Sequence, residues 1–298
     1  MTKSRKLAYT ALIVVALIWG AAFPIVKPAF DFISPLQYLY FRFLVAGTAA
    51  IPIFAYFYIK IRPKTSHILK ILAFEVLGTA LPILIIYEGL AKTSALEASL
   101  VGSTGPIFVV LGSIWFLHER ESKKEWQGIA LSLLGSLILV ISPILEHGID
   151  TPSSTIGNLY ILVYNILYAV YAVAAKKIYK TKPILYLGSL VYLATALIYA
   201  LLLNFQHLLP PLSLLSNISI LIPVLYMAIP GGILSFALYL YAQSKIEVSE
   251  ANLFTYLNGV VAIPASYLLL GEKPSFITII AILIITYGVF RAEQKKTT

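Results

Sequence analysis

Ten apolar segments, each close to twenty residues long, dominate this chain: roughly 7–28, 36–59, 68–90, 94–117, 124–145, 156–179, 183–204, 220–243, 249–270 and 274–291. About twenty mostly apolar residues are what an α-helix needs to cross the hydrocarbon core of a bilayer. Runs such as 130–141 are apolar on every face. The strands of a membrane barrel would instead be about ten residues long and strictly alternating. The expected fold class is an all-α integral membrane protein with ten transmembrane helices. Composition agrees: 59% of the 298 residues are hydrophobic and 12% charged, against about 45–50% and 25% in a soluble domain. This excludes an ordinary soluble fold, and it excludes disorder, which needs low hydrophobicity. The longest connections, near 146–155 and 205–219, carry the turn formers Asp150-Thr151-Pro152-Ser153 and Pro210-Pro211.

The net charge of +9 would suggest nucleic acid in a soluble chain. Its distribution points elsewhere. With the N-terminus in the cytoplasm, 18 of the 22 Lys and Arg residues fall on the cytoplasmic side. Only Lys27, Lys92 and Lys273 fall outside, and Arg42 lies within helix 2. Loops on the cytoplasmic side collect Lys and Arg, so both termini are expected in the cytoplasm, in a multi-pass protein of the cytoplasmic (inner) membrane. Lys3, Arg5 and Lys6 precede the first span as they would a signal peptide, but the apolar stretch is long and is read as helix 1. The chain has no cysteine, which excludes disulfides, thiolate metal sites and Cys nucleophiles.

The two halves match each other at an ungapped offset of 153 residues. Glu97-Ala98-Ser99-Leu100 aligns with Glu250-Ala251-Asn252-Leu253, and His118-Glu119-Arg120 with Gly271-Glu272-Lys273. Gly78 pairs with Gly231, Lys92 with Lys245, and Gly135 with Gly288. Helices 1–5 (residues 1–150) therefore correspond to helices 6–10 (151–298). Five is odd, so the second copy enters the membrane upside down. Inverted repeats of this kind build secondary transporters, with the solute site near the midplane between repeats.

Several residues carry a resemblance to a family. They are Trp19-Gly20-Ala21-Ala22-Phe23-Pro24 with Lys27, Arg42-Phe43, and Leu90-Ala91 through Glu97-Ala98. Pro106 and Leu117-His118-Glu119 follow, and the second copy supplies Glu250-Ala251 and Leu270-Gly271-Glu272. In this order and spacing the chain resembles the drug/metabolite transporter superfamily, specifically its EamA-type ten-helix exporters. The resemblance implies two inverted five-helix repeats, alternating access for small organic solutes, and export as the usual direction.

Polar groups inside a bilayer are costly, so each is a functional candidate. Arg42 lies about six residues into helix 2, roughly 9 Å deep at ~1.5 Å per residue. It could snorkel, pair with Glu88, or bind a solute carboxylate through its planar fork. Glu75 could couple transport to protons, reach cytoplasmic water, or pair with Lys70 or Lys180. Glu97 and Glu250 are expected to offset helix dipoles, and Glu119 and Glu272 to anchor helix ends. Tyr160, Tyr164, Tyr168 and Tyr171 share one face of helix 6. Of these, Tyr164 and Tyr168 sit near mid-membrane, where a phenol needs a partner that lipid does not provide. Trp19, Phe23, Tyr164, Tyr168 and Tyr256 are the expected aromatic walls of a site, with Ser103, Thr104, Asn165 and Asn258 supplying hydrogen bonds. Pro24, Pro82, Pro106, Gly231 and Gly232 would permit bends or close approach.

Such walls suit amino acids or related metabolites, aromatic ones slightly favoured. No HExxH, P-loop or dinucleotide motif occurs, and the four histidines lie in loops or at span ends. Gly102-Ser103-Thr104-Gly105 resembles a serine-protease GxSG with Thr in the nucleophile position, and no mid-membrane His is available as its base. No enzyme activity, metal or cofactor is expected. Lipid or lipid-linked precursor handling is the rival reading, and a channel a weaker one. The expected partners are the solute and the bilayer, with the chain a monomer or homodimer.

Overall fold

The computed structural model describes residues 3–63, 65–117, 123–147, 152–178, 184–246 and 254–293. Glu119, Glu250 and Lys180 lie outside the described residues. Each of the ten apolar segments is helical over its described residues. Helices α1 (Arg5–Asp31), α2 (Pro35–Ile61), α3 (Ile68–Lys92) and α4 (Ala95–Gly112) belong to the first half with α5 (Trp126–Glu146). The second half holds α6 (Ser153–Ala172), α7 (Leu185–Phe205), α8 (Ile218–Ala242), α9 (Phe254–Leu270) and α10 (Phe276–Arg291). The first eight are long and apolar enough to cross a membrane, and the last two are apolar but shorter. No strand occurs among the described residues.

Local sequence sets the helix ends. Ser34 and Gln37 form a reciprocal capping box ahead of α2, with N–H···O distances of 3.3 and 3.1 Å, and Pro35 occupies the first turn. Ser94 caps α4 by accepting from the Glu97 N–H at 3.1 Å. Gly271 closes α9 at φ 71°, the left-handed conformation that glycine adopts without strain.

The inverted repeat is visible in the packing. Helices α5 and α10 lie against each other through matched glycines. A Cβ on Gly135 would stand 2.6 Å from Ile285 Cγ1 and 3.0 Å from the Ala281 carbonyl. A Cβ on Gly288 would stand 2.4 Å from Ser132 Oγ and 2.7 Å from the Gly128 carbonyl. Residues 128, 132 and 135 thus face 281, 285 and 288, the same set shifted by 153, as a pseudo-two-fold axis requires. Each half also lends its first helix to the other. Helix α1 packs chiefly on α8 and α9, and α6 on α3 and α4.

The connections after α1, α3, α5, α7 and α9 share one end of the bundle. Gln37 Nε2 donates to the Leu208 carbonyl at 3.1 Å, and Ser275 donates to the Glu146 carboxylate. Glu272 reaches the start of α4 at the same end.

Both halves are interrupted at matching places. Helix α3 widens into a π-helical segment at Val76–Ala80, and α8 does so at Ile229–Leu234. These segments begin 153 residues apart. Helix α4 breaks at Ser103-Thr104, after Ala95–Gly102, and resumes at Gly105. In α9 a 3₁₀ turn, Phe254–Tyr256, gives way to α-helix at Leu257, the equivalent position. π-Bulges cluster at functional sites.

Candidate solute-binding site

Aromatic rings from both halves converge on Arg42. Its Nη1 donates to the Tyr87 phenol at 2.7 Å, and its guanidinium lies 5.1 Å from the Phe43 ring centre and 5.6 Å from that of Tyr87. Tyr87 stacks on Tyr38 with centroids 5.5 Å apart and meets Phe23 edge-on at 6.2 Å. From α7, Tyr192 and Tyr199 pack on Phe43 at 6.1 and 5.6 Å. The phenols of Tyr38, Tyr192 and Tyr199 lie within electrostatic range of Arg42, as does Tyr164 of α6. Tyr164 stacks on Tyr168 at 5.8 Å, and Tyr168 lies 6.3 Å from Tyr171. Three of the four tyrosines on the expected face of α6, Tyr164, Tyr168 and Tyr171, therefore form a row, and Tyr168 is 43% exposed.

Of the readings open for Arg42, the pair with Glu88 is not formed. Among the described residues no ion pair joins them, and Arg42 bonds instead to Tyr87. One residue along a helix is about 100° of rotation, so Tyr87 and Glu88 face different ways. Glu88 is half-buried and has Lys92, one turn on, as its charged neighbour.

The break in α4 is held from α6. Pro106 has no N–H to give the Gly102 carbonyl, so the helical ladder is interrupted here. Asn165 Nδ2 donates to the Val101 carbonyl at 2.8 Å and lies 3.2 Å from Thr104 Oγ1. Thr104 and Ser103 donate to the carbonyls of Val101 and Ser99, both at 2.7 Å. Their hydroxyl protons are thus spent on their own helix. Phe23 covers the break, 3.7 Å from where a Cβ on Gly102 would stand. Ser103 abuts Gly259 of α9, 2.9 Å from a Cβ built there. The side-chain oxygens of Asn165 and Asn258 are buried without a hydrogen-bond partner. Tyr256 is partly buried at the turn into α9.

The two π segments are filled differently. Glu75 ends the helix before Val76–Ala80 and is fully buried. It accepts from the Thr79 hydroxyl and from Tyr171 Oη at 3.1 and 3.3 Å. Gly78 admits the Tyr171 ring, and Tyr199 Oη donates to the Ala80 carbonyl at 2.8 Å. In α8, Trp19 Nε1 donates to the Gly231 carbonyl at 2.8 Å, and Tyr226 Oη donates to Ile18 of α1 at 2.7 Å. Gly232 lies beside the Tyr192 phenol and Met227.

The bend residues sit at these interruptions. Pro82 opens the helix after the first π segment, Pro106 follows the α4 break, and Gly231 and Gly232 lie in the second π segment. Pro24 lies in the short helix Ala22–Val26, which passes into the 3₁₀ turn Lys27–Asp31.

Glu272 does more than anchor a helix end. Its two carboxylate oxygens accept from the N–H groups of Ala95 and Leu96 at 3.0 and 2.7 Å, capping α4 from 177 and 176 residues away. Lys27 caps the adjoining end of α3, donating to the carbonyls of Leu90, Ala91 and Thr93 at 2.7–2.9 Å. Glu97 sits in the first turn of α4 as expected and also binds Asn158 Nδ2 at 3.0 Å. A cleft of about 400 Å³ opens beside Lys27, Asp31, Ser34 and Gln37, at the end of the bundle rather than between the halves at mid-depth.

Tyr38, Tyr87, Tyr192 and Tyr199 were not among the expected site residues. Tyr192 and Tyr199 are seven apart, one face of a helix, and Tyr38 and Arg42 are four apart. That periodicity was the available signal.

The model of the EamA-like transporter family matches the chain twice, over residues 6–141 and 155–292. Similar proteins include the uncharacterized transporter YcxC of Bacillus subtilis (strain 168), 25% identical over 97% of this chain and 95% of its own. An uncharacterized transporter of Archaeoglobus fulgidus is 25% identical over 93% of this chain and 95% of its own. The uncharacterized inner membrane transporter YedA of Escherichia coli (strain K12) is 25% identical over 94% and 89%. A solved crystal structure shares the fold, with a TM-score of 0.64 at 19% identity over 98% of this chain and 96% of its own. With two family matches that together span nearly all of its ten helices, this chain belongs to the EamA-like transporter family and is a multi-pass membrane transporter of small solutes.

Proposed function

We propose that this chain exports a small organic solute across the inner membrane by rocking its two halves, residues 1–150 and 151–298, about a site between them. Amino acids or related metabolites are the proposed substrates, aromatic ones slightly favoured. The observation that carries the reading is the convergence of α1, α2, α3, α6 and α7 on one aromatic cluster. Phe23 and Tyr87 come from one half, and Tyr164, Tyr192 and Tyr199 from the other. Flat apolar solutes pack on such rings by stacking. The interruptions at Val76–Ala80 and Ile229–Leu234 support movement, because each places a weak point in the same helix of either half. Trp19, Phe23, Tyr164 and Tyr168 are the proposed walls, with Tyr256 and Asn258 closing the α9 side. Ser103, Thr104 and Asn165 hold the α4 break open behind them.

The inner-membrane location rests on the basic residues of the even-numbered connections and on the name of the Escherichia coli relative. The same charge bias supports cytoplasmic termini. Export rests on the resemblance to EamA-type exporters.

Purified protein in proteoliposomes with an imposed pH gradient tests the reading, using pooled radiolabelled amino acids, nucleosides and organic cations. Saturable uptake of an amino-acid pool is expected. Gradient stimulation that Glu75→Gln removes would assign proton coupling to Glu75, and uptake indifferent to the gradient would mark a facilitator or exchanger. No uptake from any pool by folded protein would contradict the reading in favour of lipid handling.

A further inference from the structure

Arg42 is a cation in an apolar span without a carboxylate partner among the described residues. Burying a charge in a bilayer is costly, and such groups mark solute or ion pathways. Among the described residues the groups around Arg42 are neutral: the Tyr87 phenol, the Phe43 and Tyr87 ring faces, and, within electrostatic range, the phenols of Tyr38, Tyr192 and Tyr199. These contacts offset part of the desolvation and leave the charge in place. Glu75, elsewhere on α3, is engaged by Thr79 and by Tyr171 of α6.

The guanidinium has five N–H donors in a rigid fork. One bond, from Nη1 to Tyr87, is made. Nε and Nη2 bond to no described residue. The rings around the guanidinium come from both halves: α2 contributes Phe43 and α3 Tyr87, while Tyr164 of α6 and Tyr192 and Tyr199 of α7 lie within electrostatic range.

We propose that Arg42 binds the carboxylate of the transported solute, so that the site selects carboxylate-bearing organic solutes over neutral or cationic ones of the same shape. The proposal rests on the transport reading above. A carboxylate accepts two parallel N–H bonds from one guanidinium, a geometry that an ammonium does not reproduce. With the carboxylate at Arg42, an apolar body runs onto the rings of Tyr164 and Tyr168.

The test uses purified full-length protein in detergent and reads ligand-induced thermal stabilisation and binding. The probes are phenylacetate, indole-3-acetate and L-phenylalanine, against phenylacetamide and phenethylamine. At least one carboxylate is expected to bind saturably, with its amide and amine counterparts at least tenfold weaker. Arg42→Lys is expected to weaken carboxylate binding tenfold or more, and Arg42→Gln to abolish it. If Arg42→Gln does not fold, Arg42→Lys alone decides. Equal binding of phenylacetamide and phenylacetate, unchanged affinity in Arg42→Lys, or no binding by any of the three carboxylates would overturn the proposal. Carboxylate binding without uptake in proteoliposomes would break the transport reading and leave this one standing. Uptake of a solute whose affinity is indifferent to Arg42 would do the reverse.

Discussion

The π segments of α3 and α8 have the same backbone interruption and different contents. Val76–Ala80 and Ile229–Leu234 start at equivalent positions, and each contains a buried glycine, Gly78 or Gly231, at the matching place. Around the first lies a polar set: Glu75, Thr79 and the Tyr171 phenol. Around the second, Ala228 stands where Glu75 would recur and Gly232 where Thr79 would, with Met227 alongside. The duplication preserves the widened backbone, while the buried carboxylate belongs to one half alone. Shared geometry is what a rocking mechanism requires of both halves. A lone carboxylate is what would make the two ends of the motion chemically unequal.

The comparison can be broken most forcefully at the glycines. A Cβ on Gly78 would fall 2.1 Å from a Tyr171 ring carbon, whereas on Gly231 its nearest neighbour is the flexible Met227 Sδ at 2.8 Å. Gly78→Ala is expected to cost ~3 kcal/mol, and Gly231→Ala ~1 kcal/mol, within the range for overpacking. Thermal unfolding in detergent measures both, and an equal or reversed order would show that the π segments are not packed as described.

The next effect sharpens the chemical difference. Glu75→Ala gives the first half the residue of the second and leaves the Tyr171 phenol without its acceptor. A loss of ~2 kcal/mol is expected for the unsatisfied group and the cavity together. Adding Tyr171→Phe should recover part of that loss, because the orphaned hydroxyl is gone, and a double-mutant cycle reads the coupling. Full additivity would mean that the Glu75–Tyr171 bond contributes nothing.

Smaller effects come from the ties between halves. Glu272→Gln keeps an acceptor at the start of α4 and removes its charge, for an expected loss of ~1 kcal/mol. Trp19→Phe removes the indole donor from the Gly231 carbonyl and should cost ~0.5–1 kcal/mol. If Trp19→Phe proves more damaging than Glu75→Ala, the polar character of the first π segment matters less than the contact between α1 and α8.

Much of this architecture was legible in the residues. Length and hydropathy place ten helices, and the 153-residue register pairs Gly135 with Gly288, which admit equivalent residues of the partner helix, Ala281 and Ile285 for one and Gly128 and Ser132 for the other. Pro82, Pro106 and Gly231 mark weak points, but a proline signals a missing N–H without saying whether the helix kinks, breaks or widens. The π geometry therefore emerges only in three dimensions. Charge alone offers Glu88 as one partner for Arg42, because opposite charges attract. Helix rotation instead presents Tyr87 and turns Glu88 aside. Glu272 reads locally as a helix-end acid beside Lys273, and its role as a cap for α4 depends on chain folded from 177 residues away. The tyrosine face of α6 follows directly from 3.6-residue periodicity, whereas its convergence with α7 and α2 requires tertiary packing.

The central claim is that solute passes between the halves along the rings of α6. Comparing L-phenylalanine uptake by wild-type and Tyr168→Arg protein in proteoliposomes, with folding checked by size-exclusion profile, tests it most directly. The account predicts saturable uptake by wild type and uptake at background level in folded Tyr168→Arg protein, because a guanidinium would replace the stacking face beside Tyr164 and Tyr171. Wild-type rates in Tyr168→Arg would contradict it and take α6 off the pathway.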